Sequence, residues 1–312
     1  MMQNLIERIS DSRSMPGRRF VIGVPYVWLT LFFFLPFLIL LYISFVDMGN
    51  DIIPFKAIWD SESGALMLKY ENYLTIFKGE EGGWFETIYI EAYLRSIVYA
   101  LLTATFCLII GYPFAYFLAR SSEAVRPALL MMVMLPFWTS FLLRVYAWKG
   151  ILADQGMINQ LLMMLGIVEE PIAMLYTNVS MLVGMTYVYL PFMVLPLYAN
   201  LVKMDIRLLE AAYDLGATRW KAFWLITVPL SRSGIIAGFM LVFIPAVGEF
   251  VIPSLLGGPE NYMIGRAVWD EMFTSNNWPR ASALAVVMIA LIIVPLSIYY
   301  RQTGDRDSKE SS

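Results

Sequence analysis

The chain has 312 residues, of which 59% are hydrophobic and only 15% are charged, with a formal net charge of −3. Soluble domains carry about 25% charged residues, so this composition excludes a water-soluble fold and indicates a polytopic membrane protein. Histidine is absent and Cys107 is the only cysteine, which excludes a histidine-based triad, a histidine proton relay, an intrachain disulfide and a thiolate metal cluster.

A nucleotide-binding loop is also missing from the sequence. No Gly-Lys dipeptide occurs, so the phosphate-binding loop of P-loop ATPases cannot be built from this chain. If ATP is used, another chain must bind it. No nucleophile–base pair or metal-ligand cluster stands out either, and we expect no enzymatic activity and no cofactor in this chain.

Uncharged apolar runs recur along the sequence and predict an all-α protein with six transmembrane helices. A helix needs roughly 20 apolar residues to cross about 30 Å of hydrocarbon. The first run is too long for the core of a signal peptide, and no small-x-small cleavage site follows it. The predicted spans are 20–46, 96–118, 128–148, 179–200, 235–256 and 281–300, with an amino-terminal segment 1–19 and a tail 301–312 outside the membrane.

The basic residues predict the orientation of these spans. Arginine and lysine concentrate before the first span, between the second and third, between the fourth and fifth, and after the sixth, whereas acids favour the opposite side. The positive-inside rule therefore places both termini in the cytoplasm. Nine of the sixteen prolines fall within the predicted spans, which favours bent helices.

Two segments on the predicted outer side are longer than simple connections. Residues 47–91 contain nine acids against three bases, a surplus that either attracts a cationic ligand or partner or is simply a solvated loop. Residues 149–177 include the apolar stretch 157–168, which is too short to span a membrane. We expect an interfacial or re-entrant helix there.

The cytoplasmic loop 203–234, between the fourth and fifth spans, predicts two short helices at a tight turn. The first covers 206–215 and ends at Gly216, which can adopt a left-handed conformation. Thr218 is placed to cap a second helix over 219–226, and Pro229 breaks the chain before the fifth span. The predicted apolar face of the first helix consists of Leu208, Leu209, Ala212 and Tyr213, and the small Ala211 and Ala212 would allow another protein to approach closely.

This loop resembles the EAA signature of ABC-importer permeases. Glu210-Ala211-Ala212 is followed after three residues by Gly216, and after nine more by Ile226, one residue and Val228-Pro229. The only departure is Val228, where leucine is usual. The resemblance implies that the loop forms coupling helices that sit in a cleft of a cytoplasmic ATPase, with Glu210, Ala211, Ala212 and Gly216 as the coupling residues.

Four further stretches, 135–148, 154–166, 188–201 and 244–258, are similar to the polyamine branch of these permeases. This branch serves spermidine and putrescine, and the likeness to the putrescine-importer subunit is the greatest. It extends over about 21–300. It implies a type I (MetI-like) permease fold in the bacterial inner membrane, surrounded by lipid and paired with a second homologous permease. An ATPase dimer would bind ATP and Mg, and a periplasmic binding protein would deliver the polyamine; no nucleic acid partner is expected.

Charged and aromatic residues within the predicted spans supply candidates for the substrate pathway. Glu249 is the one acid within a span, so it should face the bundle interior or water. It either offsets the charge of a passing diamine or makes a structural contact, and permeases for anions also resemble Gly-Glu-Phe here. Trp138, Tyr146 and Trp148 could contact an ammonium group through their rings or belong to an interfacial belt, which Tyr146 and Trp148 fit better. Arg144 is expected to reach the outer headgroups or to pair with an acid.

The main hypothesis is thus the permease subunit of an ATP-driven polyamine importer, most specifically for putrescine. Within the same class, the cargo could instead be spermidine, a different small organic cation or an amino-acid-like solute. From another class, a stand-alone secondary transporter would need its own coupling-ion site. Because the spans contain one acid and the chain contains no histidine, proton coupling has little support in the sequence. The cytoplasmic loop would also have no role in such a transporter.

Overall fold

The computed structural model describes the backbone of residues 16–49, 54–59, 68–78, 83–85 and 87–310. These residues form helices joined by loops, with two isolated bridges that pair Met48 with Phe55 and Lys78 with Trp84. The chain divides into two compact units. The first contains the residues up to Thr75 together with Glu271–Ala290, and the second contains Ile76–Asp270 and the residues from Leu291 onward.

The first unit contains an apolar helix whose side chains are almost all exposed. Helix α1 (Pro16–Leu29) continues through a π-helical turn (Thr30–Phe34) into α2 (Leu35–Ser44). Residues Val21–Ser44 form one continuous apolar stretch of 24 residues, and only 11% of its most apolar window is buried. A helix that is apolar all round and exposed is suited to a lipid environment. The unit also contains most of α3 (Glu71–Phe77) and the start of α15 (Trp278–Glu310).

The end of α2 is fixed to the start of α3 by polar and aromatic contacts. The Ser44 hydroxyl lies 2.7 Å from the Tyr73 hydroxyl, and the Phe45 ring contacts the Tyr73 ring. The Asn72 amide donates to the carbonyls of Ser44 and Val46 at 3.0 and 2.9 Å. The bond to Ser44 satisfies the last carbonyl group of the helix, which has no partner within it, and the bond to Val46 fixes the residues that follow.

Most of the remaining helices belong to the second unit. They are α4 (Ile88–Arg120), α5 (Arg126–Met134) with a 3-10 turn (Leu135–Trp138), α6 (Phe141–Leu152), α7 (Met157–Met164), α8 (Asn178–Leu201), α9 (Arg207–Asp214), α10 (Arg219–Ala222), a π-helical turn (Phe223–Thr227), α11 (Val228–Leu230), α12 (Arg232–Val247), α13 (Val251–Leu256), a 3-10 turn (Pro259–Asn261) and α14 (Ile264–Trp269).

Helices α4, α8 and α12 pack against one another and form the core of this unit. Small residues allow the close approach. A Cβ built at Gly111 of α4 would lie 3.2 Å from Met193 of α8, and one at Gly234 of α12 would lie 2.7 Å from the Cβ of Asn200. Such contacts stabilise helix pairs in a membrane, where burial of apolar surface from water contributes little.

Three of the described helices are long and apolar enough to cross a membrane: Val21–Ser44, Ile88–Arg120 and Asn178–Leu201. They coincide with the first, second and fourth predicted spans. Two bent pairs raise the number to five if each is one span. The sixth predicted span falls on α15, whose apolar part Trp278–Ile293 is shorter than the others. The count of six therefore stays a prediction.

Two predicted spans are interrupted in the structure. Within 128–148, the segment Arg126–Trp138 meets Phe141–Met164 at an angle of 88°, with Thr139 in an extended conformation between them. Within 235–256, α12 ends at Val247 and α13 begins at Val251. Charge-free runs predict an apolar environment, but they do not reveal such breaks. The predicted apolar stretch 157–168 is partly helical, as α7, which packs on α6.

Candidate coupling and substrate-pathway sites

The first helix of the loop 203–234 ends as its sequence predicts. Helix α9 covers Arg207–Asp214, and Gly216 has a φ of +82°. The Ala217 amide donates to the Ala212 carbonyl and the Gly216 amide to the Tyr213 carbonyl, each at 2.9 Å. This pair of bonds is the Schellman motif, in which a left-handed residue, usually glycine, satisfies the last carbonyls of a helix. The prediction of a glycine stop is confirmed.

The second helix is capped by the predicted threonine but extends further than predicted. The Thr218 hydroxyl accepts from the Lys221 amide at 3.3 Å, so the predicted N-cap is confirmed. The helical path runs from Arg219 through Leu230, and the direction of the chain changes by 65° at Ser231. The predicted break before the fifth span is therefore present, but it lies at Ser231, two residues after Pro229.

A small hydrophobic cluster holds the two loop helices together. Leu209, Ala212 and Ala222 are buried, and Met204, Ala217 and Ile226 pack against them. Ala212 therefore packs within its own chain instead of offering a close approach to another protein. Two members of the predicted apolar face, Leu208 and Tyr213, are exposed.

The exposed surface of the loop contains three of the four predicted coupling residues. Glu210, Ala211 and Gly216 are exposed, and the adjacent Leu215 is 89% exposed. An exposed leucine at the tip of a polar loop has no packing role within the chain. We call Glu210, Ala211, Leu215 and Gly216 the loop tip.

Glu249 lies in the break between α12 and α13, and its carboxylate is bound by the protein itself. One oxygen, Oε1, accepts from the backbone amides of Val251 and Ile252 at 2.9 and 3.4 Å, and so caps α13. The other, Oε2, accepts from the Tyr189 hydroxyl of α8 at 2.6 Å. With Glu249 only 8% exposed, the structural contact foreseen for this residue is present. A carboxylate has about four acceptor positions, so the three bonds leave one position open.

The two aromatic candidates lie on the bent segment 126–164 and are exposed. Trp138, at the end of the 3-10 turn, is 80% exposed, and Tyr146 of α6 is also exposed. Neither is brought against Glu249 by a described contact. Trp148 instead packs edge-on against the Tyr187 ring of α8, with ring centroids 5.4 Å apart.

Arg144 pairs with no acid among the described residues, and its expected contact with the outer headgroups stays a prediction. Its guanidinium lies 5.4 Å from the centre of the Phe137 ring and 5.9 Å from that of Phe141. Its Nε and Nη1 atoms are buried without a hydrogen-bond partner among these residues. The rings on either side of the bend thus stabilise the charge through cation–π contacts.

A network of polar side chains that the sequence did not single out fixes the segment after α13. The Asn261 amide donates to the Tyr99 hydroxyl of α4 at 2.8 Å and to the side-chain oxygen of Asn178 at the start of α8. The Asn261 oxygen accepts from the Gly258 amide at 2.8 Å. Asn178 and Asn261 are 83 residues apart in sequence, so no local pattern could have paired them.

A metal site is not formed by the part of the chain that the structure describes, where no three His, Cys, Asp or Glu side chains come together. The candidate sites are therefore the exposed turn of the loop 203–234 and the polar break between α12 and α13.

The comparisons with known proteins identify the family. Residues 1–303 match the family described as binding-protein-dependent transport system inner membrane component. The chain belongs to this family. The permease is 36% identical over 284 residues to the spermidine/putrescine transport system permease protein PotB of Salmonella typhimurium (strain SL1344), covering 91% of this chain and 93% of the relative. It is 36% identical over 274 residues to PotB of Escherichia coli (strain K12), covering 88% and 93%.

A solved structure is similar to the permease in fold. It is a chain of a bacterial alginate ABC transporter in complex with an alginate pentasaccharide-bound periplasmic protein. The TM-score is 0.63 at 17% identity, covering 89% of this chain and 92% of that one. The permease is thus an all-α inner-membrane component with the type I ABC-importer permease fold, and it is a transport component rather than an enzyme. Among these relatives, none bears a putrescine-specific name.

Proposed function

We propose that this chain is the permease subunit of an ATP-driven importer of polyamines, with putrescine as its main cargo. The observation that carries the proposal is the 36% identity to PotB over nearly the whole of both chains. PotB is named for spermidine and putrescine together, so the narrower assignment to putrescine rests on the sequence resemblance alone. A periplasmic binding protein, a second homologous permease and an ATPase dimer that binds ATP and Mg are the proposed partners.

The topology that this function requires is six spans with both termini in the cytoplasm. Support for five of the six spans comes from the three helices and two bent pairs of sufficient length and apolarity, and support for the orientation comes from the distribution of basic residues. In this orientation the loop 203–234 lies in the cytoplasm, where an ATPase would bind.

The loop tip is the proposed contact with the ATPase. It consists of exposed residues on a turn that the Schellman motif and the Leu209–Ala212–Ala222 cluster make rigid. A rigid turn transmits the movement of a bound partner to the helices on either side of it, because the turn itself does not deform. Within the EAA motif, Glu210 and Ala211 would face the ATPase and Gly216 would form the turn. Ala212 would stabilise the loop by packing against Leu209 and Ala222.

The proposed pathway for the polyamine passes Glu249, with Trp138 and Tyr146 as aromatic contacts. The carboxylate has one acceptor position that no protein donor fills, and an ammonium group could use it. The exposed rings could add cation–π contacts of about 0.5–2 kcal/mol each. Glu249 would thus both cap α13 and offset the positive charge of the polyamine.

The experiment that tests the function is uptake of labelled putrescine by cells that lack their own polyamine importers. The cells express this chain with its ATPase, partner permease and binding protein. We expect energy-dependent uptake that excess unlabelled spermidine reduces only slightly. Cells that lack only this chain provide the control.

Each departure from that result has a defined meaning. Equal competition by spermidine would remove the preference for putrescine and leave a general polyamine importer. No uptake from a properly assembled complex would overturn the polyamine assignment and point to another small cation or an amino-acid-like solute. Purification of this chain without the other subunits would favour a stand-alone transporter.

A further inference from the structure

The junction between the cytoplasmic loop and the fifth predicted span is held by one tyrosine of α4. Ser231 is fully buried at the 65° bend, and its hydroxyl donates to the Val228 carbonyl at 3.0 Å. Since a hydroxyl has a single hydrogen, Tyr112 donates to Ser231 Oγ in the 2.7 Å bond between the two residues. This bond links α4 directly to the end of the coupling segment Arg219–Leu230.

The same tyrosine ring also touches the segment about two turns earlier. The Tyr112 and Phe223 rings meet edge to face, with centroids 5.5 Å apart and planes at 90°. Phe223, Thr227 and Ser231 follow one another at intervals of four residues, and residues four apart share one face of a helix. Thr227 therefore lies between the two residues that Tyr112 contacts.

Thr227 has a hydroxyl that lacks a partner in this conformation. The residue is fully buried, and its Oγ1 has no hydrogen-bond partner among the described residues. A buried polar atom without a partner is unfavourable, and its presence in a native structure requires an explanation. Valine would fill the same space without this disadvantage.

We propose that Tyr112 is a positioning residue with two alternative acceptors on the coupling segment. It binds Ser231 in the conformation described here and Thr227 in the other main conformation of the transport cycle. The two acceptors are one helical turn apart, about 5.4 Å along a regular helix, a step that packed helices use to switch between stable arrangements. The π-helical turn Phe223–Thr227 is a place where the hydrogen-bond ladder is irregular and can re-form. The proposal rests on the proposed function, because it requires an ATPase to move the segment.

The decisive variant is Thr227→Val, studied in the complete purified complex. We assign the conformation described here, in which the hydroxyl has no partner, to the nucleotide-free state, so valine should leave the melting temperature of that state unchanged or raise it. In the ATP-trapped state the hydroxyl accepts from Tyr112, so the melting temperature of that state should fall relative to wild type. A threonine with a purely structural role would shift both states equally, and that result would overturn the proposal.

Transport supplies a second measurement. In proteoliposomes, Thr227→Val should lower the number of substrate molecules imported per ATP at least fivefold. Tyr112→Phe removes the bond to Thr227 and also the bond to Ser231, so it should lower this ratio at least as much, and the double variant should be no worse than Tyr112→Phe alone. Additive losses would contradict a shared bond.

Two control variants separate the hydroxyl from shape and packing. Thr227→Ser keeps the hydroxyl and should retain the wild-type ratio, whereas a serine variant as poor as valine would overturn the proposal. Tyr116→Phe should behave as wild type, because the Tyr116 ring also contacts Phe223 but its hydroxyl has no partner among the described residues. The melting comparison needs no cargo. It therefore still tests the proposal if wild type fails to import polyamines, a failure that would refute only the proposed function.

Discussion

Gly238 of α12 lies directly against Met193 of α8: a Cβ at this position would be 2.8 Å from the methionine sulfur and 3.1 Å from the methionine carbonyl oxygen. The sulfur is at the flexible end of a side chain and could move, but the carbonyl belongs to the helix backbone. A methyl group at residue 238 would therefore force the sulfur to move and the two helix backbones to separate by a few tenths of an ångström.

Gly238→Ala is expected to destabilise the protein by about 1–3 kcal/mol, the usual cost of overpacking a core. Thermal unfolding of the purified chain in detergent measures this. The matched control is Gly150→Ala in α6, where a Cβ meets nothing within 4 Å. Alanine there should be neutral or stabilise by up to about 1 kcal/mol, since it favours a helix more than glycine does. Equal melting temperatures for the two variants would refute the steric explanation.

Glu249→Gln tests whether the carboxylate offsets the charge of the polyamine in addition to capping α13. Glutamine keeps an oxygen to accept from the amides of Val251 and Ile252, but it has no charge to offset an ammonium group. We expect a several-fold higher apparent KM for polyamine uptake, with the protein still folded. The control is Tyr189→Phe, which removes a donor to Glu249 but leaves the charge. Unchanged uptake kinetics in Glu249→Gln would remove this residue from the pathway.

Leu215→Ser tests the loop tip. Because the side chain is 89% exposed, the substitution should change the stability of the isolated permease by less than about 0.5 kcal/mol. Loss of an apolar contact at the centre of an interface should nevertheless reduce the amount of ATPase that co-purifies. The control is Leu165→Ser, an exposed leucine on the predicted outer side. If both variants retain the same amount of ATPase, the loop tip is not the contact.

The ion pairs of Asp47 with Lys56 and Lys69 should make the stability of the adjoining segment decrease in acid. Partial burial raises the pKa of Asp47, but the hydrogen bond and charge of Lys69, together with Lys56, outweigh this and bring the pKa below its usual value of 3.8. The ionised form is therefore favoured by folding. Its contribution is present above that usual value and is lost as the pH falls through the lower pKa of the folded state.

Hydrogen exchange of the Lys56 amide, which donates to the Asp47 carbonyl at 2.9 Å, reports this effect. After correction for the intrinsic rate, protection should be constant at neutral pH and decrease as the pH falls below 3.8. Asp47→Asn should show the reduced protection already at neutral pH and no further change in acid. A wild-type protection that is flat into acid would show that the ion pairs with Lys56 and Lys69 do not order this segment.

The structure of the loop 203–234 could be predicted closely because its signals are local. Gly216 ends one helix through its own backbone conformation, and Thr218 begins the next through a bond to a residue three positions away. Burial on the loop was predicted less well. Leu208 and Leu209 are adjacent and equally apolar, yet only Leu209 is covered, because Ala222 on the other loop helix decides which face is buried.

Features that depend on distant residues could not be predicted. The search for uncharged runs placed the start of the second span at residue 96, whereas α4 begins at Ile88. The extra turns include Glu91 and Arg95, which are four residues apart and form an ion pair at 3.0 Å on one face of the helix. The charges that ended the uncharged run therefore do not end the helix. The partners of Glu249 could not be foreseen either, since Tyr189 is 60 residues away. The sequence indicated a special residue there, but not the bonds that it forms.

The burial of Cys107 has a practical consequence for measuring motion in this protein. The thiol is fully covered by the second unit, and its hydrogen bond is to the Thr186 carbonyl. Thiol-reactive spin labels or fluorophores will therefore bypass the native cysteine, and a new cysteine at Leu215 can be labelled alone. A second label on the ATPase would then report the distance across their junction in each nucleotide state, with the rest of the permease sequence unchanged.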